Sequence, residues 1–316
     1  MEVSVIIVNW NSKDFLRQCL TSLAAHCRSV PVEIIVVDGA SYDGCAEMLT
    51  AEFPSVLFIQ SDKNVGFAKA NNLGARRAHG HHLLLLNPDT VFQEDSIRLM
   101  RDALESLPQA GAVGCTLLNS DGSLQTTSVL TYPTILNQVL DSEYLRRRFR
   151  DWKIWGVAAL YAEPPRAAEV EVISGACILV WRELFEKVGG FSEEYFMYSE
   201  DIDLCYKIRQ TGYPAYYTPT TRLTHLGGSS SDQAPSNFST VMMRHSTSLY
   251  LRLHHGAFKA AAYRAAMGIS ALGRLLLITP QRLLRGASDR RSAHSWQKWR
   301  AVLRWSLGRE AWTAKY

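Results

Sequence analysis

The feature that most constrains this chain is an alternation of strand-length apolar runs with segments of helical periodicity. Strands that are apolar on both faces and separated by helices form a parallel sheet covered by helices on both sides. The pattern therefore predicts an α/β fold with a mostly parallel central sheet. The predicted strands are VSVIIVN (3–9), VEIIVVD (32–38), VLFIQ (56–60), HLLLLN (82–87) and AGAVGCTLL (110–118).

The regular pattern resumes beyond residue 170. EVISGACILVW (171–181) predicts a strand, residues 199–210 predict a helix, and the chain from residue 237 predicts further helices. Ser12 and Asp43 are the expected N-caps of the helices that follow the first two strands. The basic and aromatic stretch 143–156 is assigned to no element.

Net charge divides the chain into an acidic body and a basic extension. From residue 236 onward there are 14 Lys/Arg and 2 Asp/Glu, a net of +12, whereas the first 235 residues hold 20 and 28, a net of −8. The basic residues of the extension alternate with apolar ones at helical spacing, which favours an anionic membrane surface over nucleic acid as a partner. The expected aromatic anchors are Trp296, Trp299, Trp305 and Trp312.

Cysteine usage and hydropathy indicate the compartment. The six cysteines include no CxxC pair, and the N-terminal MEVSVIIVNW has no basic leader, so we expect a reducing cytosol. The longest apolar candidate, MGISALGRLLLI, is interrupted by Arg274 and falls short of the roughly 18 to 20 residues of a membrane span. We therefore expect no transmembrane helix.

Three polar side chains stand at the carboxyl ends of predicted strands, where ligands bind in parallel sheets: Asn9, Asp38 and Asp89. Asp38 could accept a hydrogen bond from a pyrimidine imide, or could form an Asx turn. Asp89, held by the preceding proline, could bind a divalent metal beside a diphosphate; the alternative is that Asp89 or Thr90 caps a helix. Residues alone leave both choices open.

Two further groups could carry chemistry. Glu200, Asp201 and Asp203 lie within one turn of a predicted helix, where acids are favoured by the helix dipole but where one of them could also be a general base. His225 precedes a glycine and serine loop and could be a ligand or a surface residue. The HGHH stretch (79–82) lies at the opposite end of its strand from Asp89 and is interpreted as a solvated loop.

Taken in order, six segments resemble the inverting glycosyltransferase family 2, which has the GT-A fold, and most closely its bacterial rhamnosyltransferase branch. They are VSVIIVNWN, IIVVDGASYDG, NVGFAKANNLGARRA, LLLLNPDT, the stretch from ISGACILVW to MYSEDIDLCYKIRQTGY, and THLGGSS, and together they cover about residues 3–231. The resemblance implies a GT-A catalytic domain over 1–235, with a nucleotide-sugar half (about 1–118) and an acceptor half (about 119–235). A basic amphipathic helical extension over 236–316 follows.

The same resemblance implies roles for individual residues. Asp201 is similar to the catalytic base, with Glu200 beside it for substrate hydroxyls. Asp89 resembles the last acid of the DxD metal motif, which reads Asn87-Pro88-Asp89 in this chain, and His225 resembles a histidine that completes the site for Mg²⁺ or Mn²⁺. The expected nucleotide-sugar contacts are Asn9, Asp38, Asn64, Gly66, Asn71, Asn87 and Asp89.

The implied activity is transfer of a sugar, with L-rhamnose from dTDP-rhamnose favoured, to a polyprenyl-linked or polysaccharide acceptor of the bacterial envelope. A UDP-sugar donor (galactofuranose, hexose or N-acetylhexosamine) and an inactive envelope scaffold are the alternatives. A sugar nucleotidyltransferase is disfavoured because VNWNSKDF is not a glycine-rich phosphate loop. The expected location is cytoplasmic, peripheral on the inner face of the cell membrane, and a homo-oligomer is left open.

Overall fold

The structure, a computed structural model, describes residues 1–140, 166–227, 237–285 and 290–315, together with five positions between 145 and 154. The strands are β1 Val3–Asn9, β2 Val32–Asp38, β3 Leu57–Gln60, β4 His82–Leu86, β5 Thr90–Phe92, β6 Ala112–Leu118, β7 Val129–Leu130, β8 Ala168–Val170, β9 Val172–Ile173, β10 Cys177–Trp181 and β11 Ala215–His225. The helices are α1 Lys13–His26, α2 Cys45–Glu52, α3 Phe67–Ala75, α4 Ser96–Ser106, α5 Ile135–Val139, α6 Arg182–Lys187, α7 Glu200–Gln210, α8 Phe238–His255, α9 Ala257–Arg285 and α10 Arg290–Ser306.

The chain forms two compact units. The sheet unit comprises Met1–Tyr132, Arg150–Phe196 and Glu200–Asp232, and the helical unit comprises Pro133–Phe149, Met197–Ser199 and Gln233–Tyr316. The domain division at residue 235 stays a prediction. Most of the unassigned stretch 143–156 lies outside the described residues.

The central sheet confirms the predicted α/β architecture. Its strand order is β3-β2-β1-β4-β10-β6-β11-β5, with β8 paired to β11. Among the described strands of this sheet, β3, β2, β1, β4, β6 and β11 run in one direction, and β10, β5 and β8 run against them. The sheet is therefore mostly parallel, and the side chains that follow its parallel strands gather at one edge.

Apolar residues cover both faces of the sheet, as expected from strands without a polar face. Leu16 and Leu20 of α1 and Met100 of α4 belong to the core on one face. Ala70 of α3 packs with Ile35 and Val37 on the other. A Cβ at Gly74 would lie 2.6 Å from Ile6 Cγ2, so the small residues of α3 let this helix approach the sheet closely.

Strand register brings the predicted site residues together. Asn9 lies opposite Asp38 where β1 and β2 end. β10 runs antiparallel to β4 with Cys177 opposite Leu86, so the residues just before β10 lie beside those just after β4. The Asn87 N–H donates to the Ala176 carbonyl (3.0 Å), which extends this pairing by one step.

Two local expectations are wrong. The predicted strand 171–181 is two strands, β9 and β10, separated by Ser174–Ala176. Ser12 does not cap α1: its hydroxyl donates to the Trp10 carbonyl, and the Lys13 N–H donates instead to Asp43 Oδ2 at 2.8 Å. Asp43 also accepts from the Cys45 N–H at 3.2 Å, so one carboxylate serves the starts of two helices.

Three expectations about the surface also need correction. His82 of the HGHH stretch is buried against Trp181, with ring centroids 4.4 Å apart, and is not solvated. Among the described residues one helical segment, Ala257–Pro280, is long and apolar enough to cross a membrane by length and composition, so the expectation that no segment reaches that length is wrong. Trp299 and Trp305 are buried, so they cannot serve as membrane anchors.

Candidate active site

The loop after β2 is built on the Asp38 carboxylate. Its Oδ1 accepts from Asn9 Nδ2 (2.8 Å) and Ser41 Oγ (2.6 Å), and its Oδ2 accepts from the Ser41 N–H (2.7 Å) and Gln60 Nε2 (2.7 Å). Four donors use the whole accepting capacity of a carboxylate. The Ser41 N–H lies three residues after Asp38, whereas an Asx turn uses the N–H two residues on, so the carboxylate organises the loop through Ser41 and not through an Asx turn.

A role of Asp38 toward a nucleotide base therefore stays a prediction with a specific requirement. An imide N–H could reach the carboxylate only by replacing one of the four donors. Asn9 Oδ1, in contrast, is buried and accepts no hydrogen bond from any residue that the structure describes. Asn11, just after β1, and Ala40, just after β2, both have positive φ (48° and 61°), a backbone strain that the side chains around them must offset.

Asn64, Gly66 and Asn71 each have a structural role. Asn64 Oδ1 accepts from the Gly66 N–H (3.0 Å), and Asn71 Nδ2 donates to the Phe67 carbonyl one turn back (3.0 Å). Gly66 has φ 86°, and a Cβ there would lie 2.5 Å from the Phe196 carbonyl oxygen. Close packing against Phe196 explains why residue 66 is a glycine. A contact between Gly66 and a nucleotide sugar stays a prediction.

Asp89 and His225 are brought together by the pairing of β5 with β11, in which His225 lies opposite Thr90. His225 Nε2 is 3.3 Å from Asp89 Oδ1, and both side chains are at most 15% exposed. Asn87 Nδ2 lies 3.2 Å from the same ring nitrogen. The Thr90 hydroxyl donates to the Asn87 carbonyl (2.8 Å), which fixes the turn.

Sequence reasoning missed Gln125, the residue on the other side of the His225 ring. Gln125 Oε1 lies 2.7 Å from His225 Nδ1. The Gln125 N–H donates to the Leu117 carbonyl (2.8 Å), and Leu117 pairs with Leu223 on β11. No motif marks this glutamine, because β6 and β11 are distant in sequence and only their pairing brings it to the histidine.

Asp201 lies at the start of α7. Its Oδ2 accepts from the Gly175 N–H at 2.9 Å, and its Oδ1 accepts from the Ile202 N–H at 2.8 Å. Gly175 precedes β10 by two residues, so this contact brings Asp201 to the sheet edge that carries Asn87. Burial raises the pKa of Asp201, and the two N–H donors oppose that rise.

Glu200 is the more deeply buried of the two acids, at 6% exposure. Burial raises the pKa of Glu200 well above its usual range, and the neighbouring negative charge of Asp201 raises it further. The backbone just before this pair is strained, since Tyr198 and Ser199 both have positive φ (69° and 64°). Such strain is typical of functional sites.

The third acid, Asp203, is a structural residue. It is fully buried, accepts from Ser192 Oγ at 2.6 Å and lies 3.2 Å from Lys207 Nζ. The Lys207 ammonium also donates to the Gly190 carbonyl at 2.6 Å. Asp203 therefore faces away from the Gly175 contact into a network that ties α7 to the 190–192 turn.

Comparison with protein families decides to which class of protein the chain belongs. The family model of glycosyl transferase family 2 matches residues 4–189. The chain belongs to glycosyl transferase family 2. It is an enzyme that transfers glycosyl groups, on a GT-A fold extended by a helical C-terminal region.

Two curated relatives belong to the rhamnosyltransferase branch. The chain is 27% identical over 289 residues to an N-acetylglucosaminyl-diphospho-decaprenol L-rhamnosyltransferase of Mycobacterium tuberculosis, a match that covers 87% of this chain and 92% of the relative. It is 26% identical over 230 residues to the rhamnosyltransferase WbbL of Escherichia coli, covering 71% of this chain and 83% of the relative. The resemblance to rhamnosyltransferases is thus confirmed.

A solved structure shares the fold over nearly the whole chain. The mannosyltransferase PcManGT of Pyrobaculum calidifontis, in complex with GDP-Man and Mn²⁺, superposes with a TM-score of 0.53 at 19% identity, covering 99% of this chain and 87% of that one. At this identity the likeness establishes the fold alone.

Proposed function

We propose that this glycosyltransferase transfers L-rhamnose from dTDP-rhamnose, with inversion, to a lipid-linked or polysaccharide acceptor of the bacterial envelope. The observation that carries the proposal is the match to the mycobacterial rhamnosyltransferase over 87% of this chain and 92% of that relative, which extends past the family domain into the helical unit. That relative is an N-acetylglucosaminyl-diphospho-decaprenol L-rhamnosyltransferase, which favours a sugar on a polyprenyl diphosphate as the acceptor of this chain.

Asp201 is the proposed general base. Inversion is a single in-line displacement at the anomeric carbon, so the acceptor hydroxyl loses its proton as its oxygen forms the new bond. A carboxylate with a raised pKa holds that proton better than an ordinary surface acid does. The N–H groups of Gly175 and Ile202 fix the Asp201 carboxylate, and Glu200, whose pKa burial raises, lies beside it for a hydrogen bond to a substrate hydroxyl.

A divalent metal fits at Asp89 and His225. In the described part of the chain no cluster of three or more His, Cys, Asp or Glu side chains could hold a metal ion. Asp89 Oδ1 and His225 Nε2 nevertheless converge at 3.3 Å, and Mg²⁺ in nucleotide sites is commonly held by one or two protein groups plus substrate phosphates. Such an ion would supply positive charge to the diphosphate leaving group.

A cytoplasmic location on the inner membrane face completes the proposal. A polyprenyl-linked acceptor is confined to the membrane, and the net charge of +12 beyond residue 235 attracts anionic lipid. Each Lys or Arg near such a surface contributes about 1 kcal/mol.

The test is a donor screen with purified full-length protein and a short-chain polyprenyl diphosphate acceptor that carries N-acetylglucosamine. The proposal predicts transfer from dTDP-rhamnose, with an inverted anomeric centre by NMR. Transfer from UDP-galactofuranose, UDP-hexose or UDP-N-acetylhexosamine, and not from dTDP-rhamnose, would show that the donor is a UDP-sugar. Neither transfer nor hydrolysis of any donor would favour an inactive scaffold.

A further inference from the structure

Helix α9 carries an apolar row that faces outward from the helical unit. Residues at helical spacing along it are exposed: Phe258 (88%), Ile269 (73%), Leu272 (50%), Leu276 (66%) and Leu277 (70%). The intervening exposed positions on the same face, Ala261, Ala265 and Gly273, add no charge. A contiguous exposed apolar surface of this length marks an interaction site.

The opposite face of α9 packs against other elements of the helical unit. Tyr263, Met267 and Ala271 are completely buried. Arg264 donates to the carbonyls of Trp305 (2.6 Å) and Ser306 (3.0 Å), and Arg274 donates to the Val139 carbonyl (2.9 Å). A helix that crossed a membrane would have to leave these contacts and bring two arginines into hydrocarbon, at high cost.

We propose that the α9 row, from Phe258 to Leu277, lies in the plane of an anionic membrane and inserts its apolar side chains below the headgroups. The row is about 28 Å long at 1.5 Å per residue. Lys259 flanks it by helical spacing, and the extension has 14 basic residues against 2 acidic ones, which favours anionic lipid over a second, equally basic copy. The proposal rests on the membrane location proposed above and assigns the membrane contact to α9, in place of the buried Trp299 and Trp305.

The decisive variant replaces three exposed side chains of the row by glutamine, a polar residue that favours helix: Ile269→Gln, Leu272→Gln and Leu276→Gln together. A matched control replaces three exposed apolar residues of the helical unit outside the row, Met243, Leu253 and Leu307, by Gln. Binding is measured by flotation with vesicles of phosphatidylcholine mixed with phosphatidylglycerol. We expect about tenfold weaker binding for the row variant and unchanged binding for the control.

Transfer to a soluble acceptor keeps this test separate from the proposed activity, because both triple variants should retain wild-type turnover. Equal vesicle binding by the row variant and the wild type would overturn the assignment. So would a lipid-free wild-type dimer that the row variant dissociates, since the row would then be an interface between copies.

Orientation is tested by attaching an environment-sensitive dye at Phe258→Cys and, separately, at Leu276→Cys, which is feasible because the six native cysteines are buried. Equal, shallow quenching by lipids brominated near the headgroup supports the in-plane position. Opposite-leaflet accessibility of the two dyes would mean that α9 spans the bilayer, and would overturn it.

A second inference concerns Gln125, and it stands on a different set of contacts. Gln125 Nε2 donates to Asn119 Oδ1 (3.2 Å), and Asn119 Nδ2 donates to Ser123 Oγ (2.9 Å), so the amide presents its oxygen to His225 Nδ1. An amide oxygen only accepts, so Nδ1 carries a proton, and in the neutral ring Nε2 then has a lone pair that can accept from Asn87 Nδ2, 3.2 Å away. We infer that Gln125 is a positioning residue that sets this tautomer.

The test uses Gln125→Leu, which lacks the acceptor, and Gln125→Glu, which keeps it. The control is Gln93→Leu, because Gln93 bonds Thr224, the residue before His225, at 3.3 Å. In ¹⁵N NMR of the histidine rings, we expect the His225 signals to show the Nδ1–H tautomer in wild type, Gln125→Glu and Gln93→Leu, and a shift toward Nε2–H in Gln125→Leu. An unchanged tautomer in Gln125→Leu would overturn the inference.

Metal affinity is the second readout. Loss of a hydrogen bond to a metal-binding histidine typically costs 10- to 100-fold in affinity. We expect about tenfold weaker Mn²⁺ binding, followed by electron paramagnetic resonance in the presence of dTDP, for Gln125→Leu alone. Absence of Mn²⁺ binding by the wild type would refute the proposed metal site, whereas the tautomer would still decide the role of Gln125.

Discussion

The Asp201 carboxylate accepts a hydrogen bond from the Gly175 N–H, 2.9 Å away, in the break between β9 and β10. This contact joins the helix that carries the acids to the sheet edge that carries Asn87, because Ala176, the next residue, pairs with Asn87. The interruption of the predicted strand thus leaves the Gly175 N–H available to Asp201. An uninterrupted strand would use this N–H in a ladder.

Removal of the Asp89 carboxylate should abolish transfer. Asp89→Ala deletes one of the two protein groups of the proposed metal site, and we expect nearly complete loss of activity with an unchanged unfolding midpoint. Transfer is measured with Mg²⁺ and Mn²⁺, beside Asp62→Ala, an exposed acid, as control. Full activity of the wild type in excess chelator would contradict a metal role for Asp89 and His225.

Asp38→Asn should destabilise the protein. An amide in place of the carboxylate leaves two of the four donors around Asp38 facing an N–H₂ group, and buried donors without an acceptor cost about 1 to 3 kcal/mol each. We expect a loss of about 2 to 4 kcal/mol in the free energy of unfolding by urea. Asp14→Asn, at an exposed ion pair with Arg17, should change it by less than about 1 kcal/mol. Equal stability of the two variants would contradict the structural role of Asp38.

Glu200→Gln should stabilise the protein at neutral and alkaline pH. Burial raises the pKa of Glu200 in the folded state, so the folded protein binds this proton more tightly than the unfolded chain does. The free energy of unfolding of the wild type therefore falls once the pH exceeds the ordinary glutamate pKa of about 4.3, because the unfolded chain then releases a proton that the folded protein holds. A neutral glutamine avoids that cost.

The expected gain in the free energy of unfolding is largest at pH 8, where the unfolded chain carries the Glu200 charge and burial disfavours that charge in the folded protein. It should shrink toward zero as the pH falls to about 4.3. Thermal unfolding of both proteins across this range measures it. A constant difference at all pH values would show that burial of the Glu200 charge is not its cause.

The sequence predicts the sheet and the meeting of Asn9, Asp38 and Asp89 at one edge, because these follow from alternating patterns and the rule for parallel strands. It does not predict Gln125 or Gly175, whose contacts arise from pairing of segments that are distant in the chain. Trp299 and Trp305 are not the membrane anchors predicted from the sequence, because basic helices with aromatic residues have the same sequence pattern whether they pack on one another or on lipid. Only the three-dimensional arrangement shows that Trp299 and Trp305 are buried while the α9 row is exposed.

The proposed role of Asp201 as general base is tested most directly by the transfer rates of Asp201→Asn and Asp203→Asn at saturating donor and acceptor. Asp201→Asn keeps the shape but cannot take the proton, so turnover should fall by about 100-fold or more while donor binding persists. Asp203→Asn weakens the network with Ser192 and Lys207, so it should lower stability and retain turnover. Near-normal turnover of Asp201→Asn, with Asp203→Asn or Glu200→Gln inactive, would contradict the account.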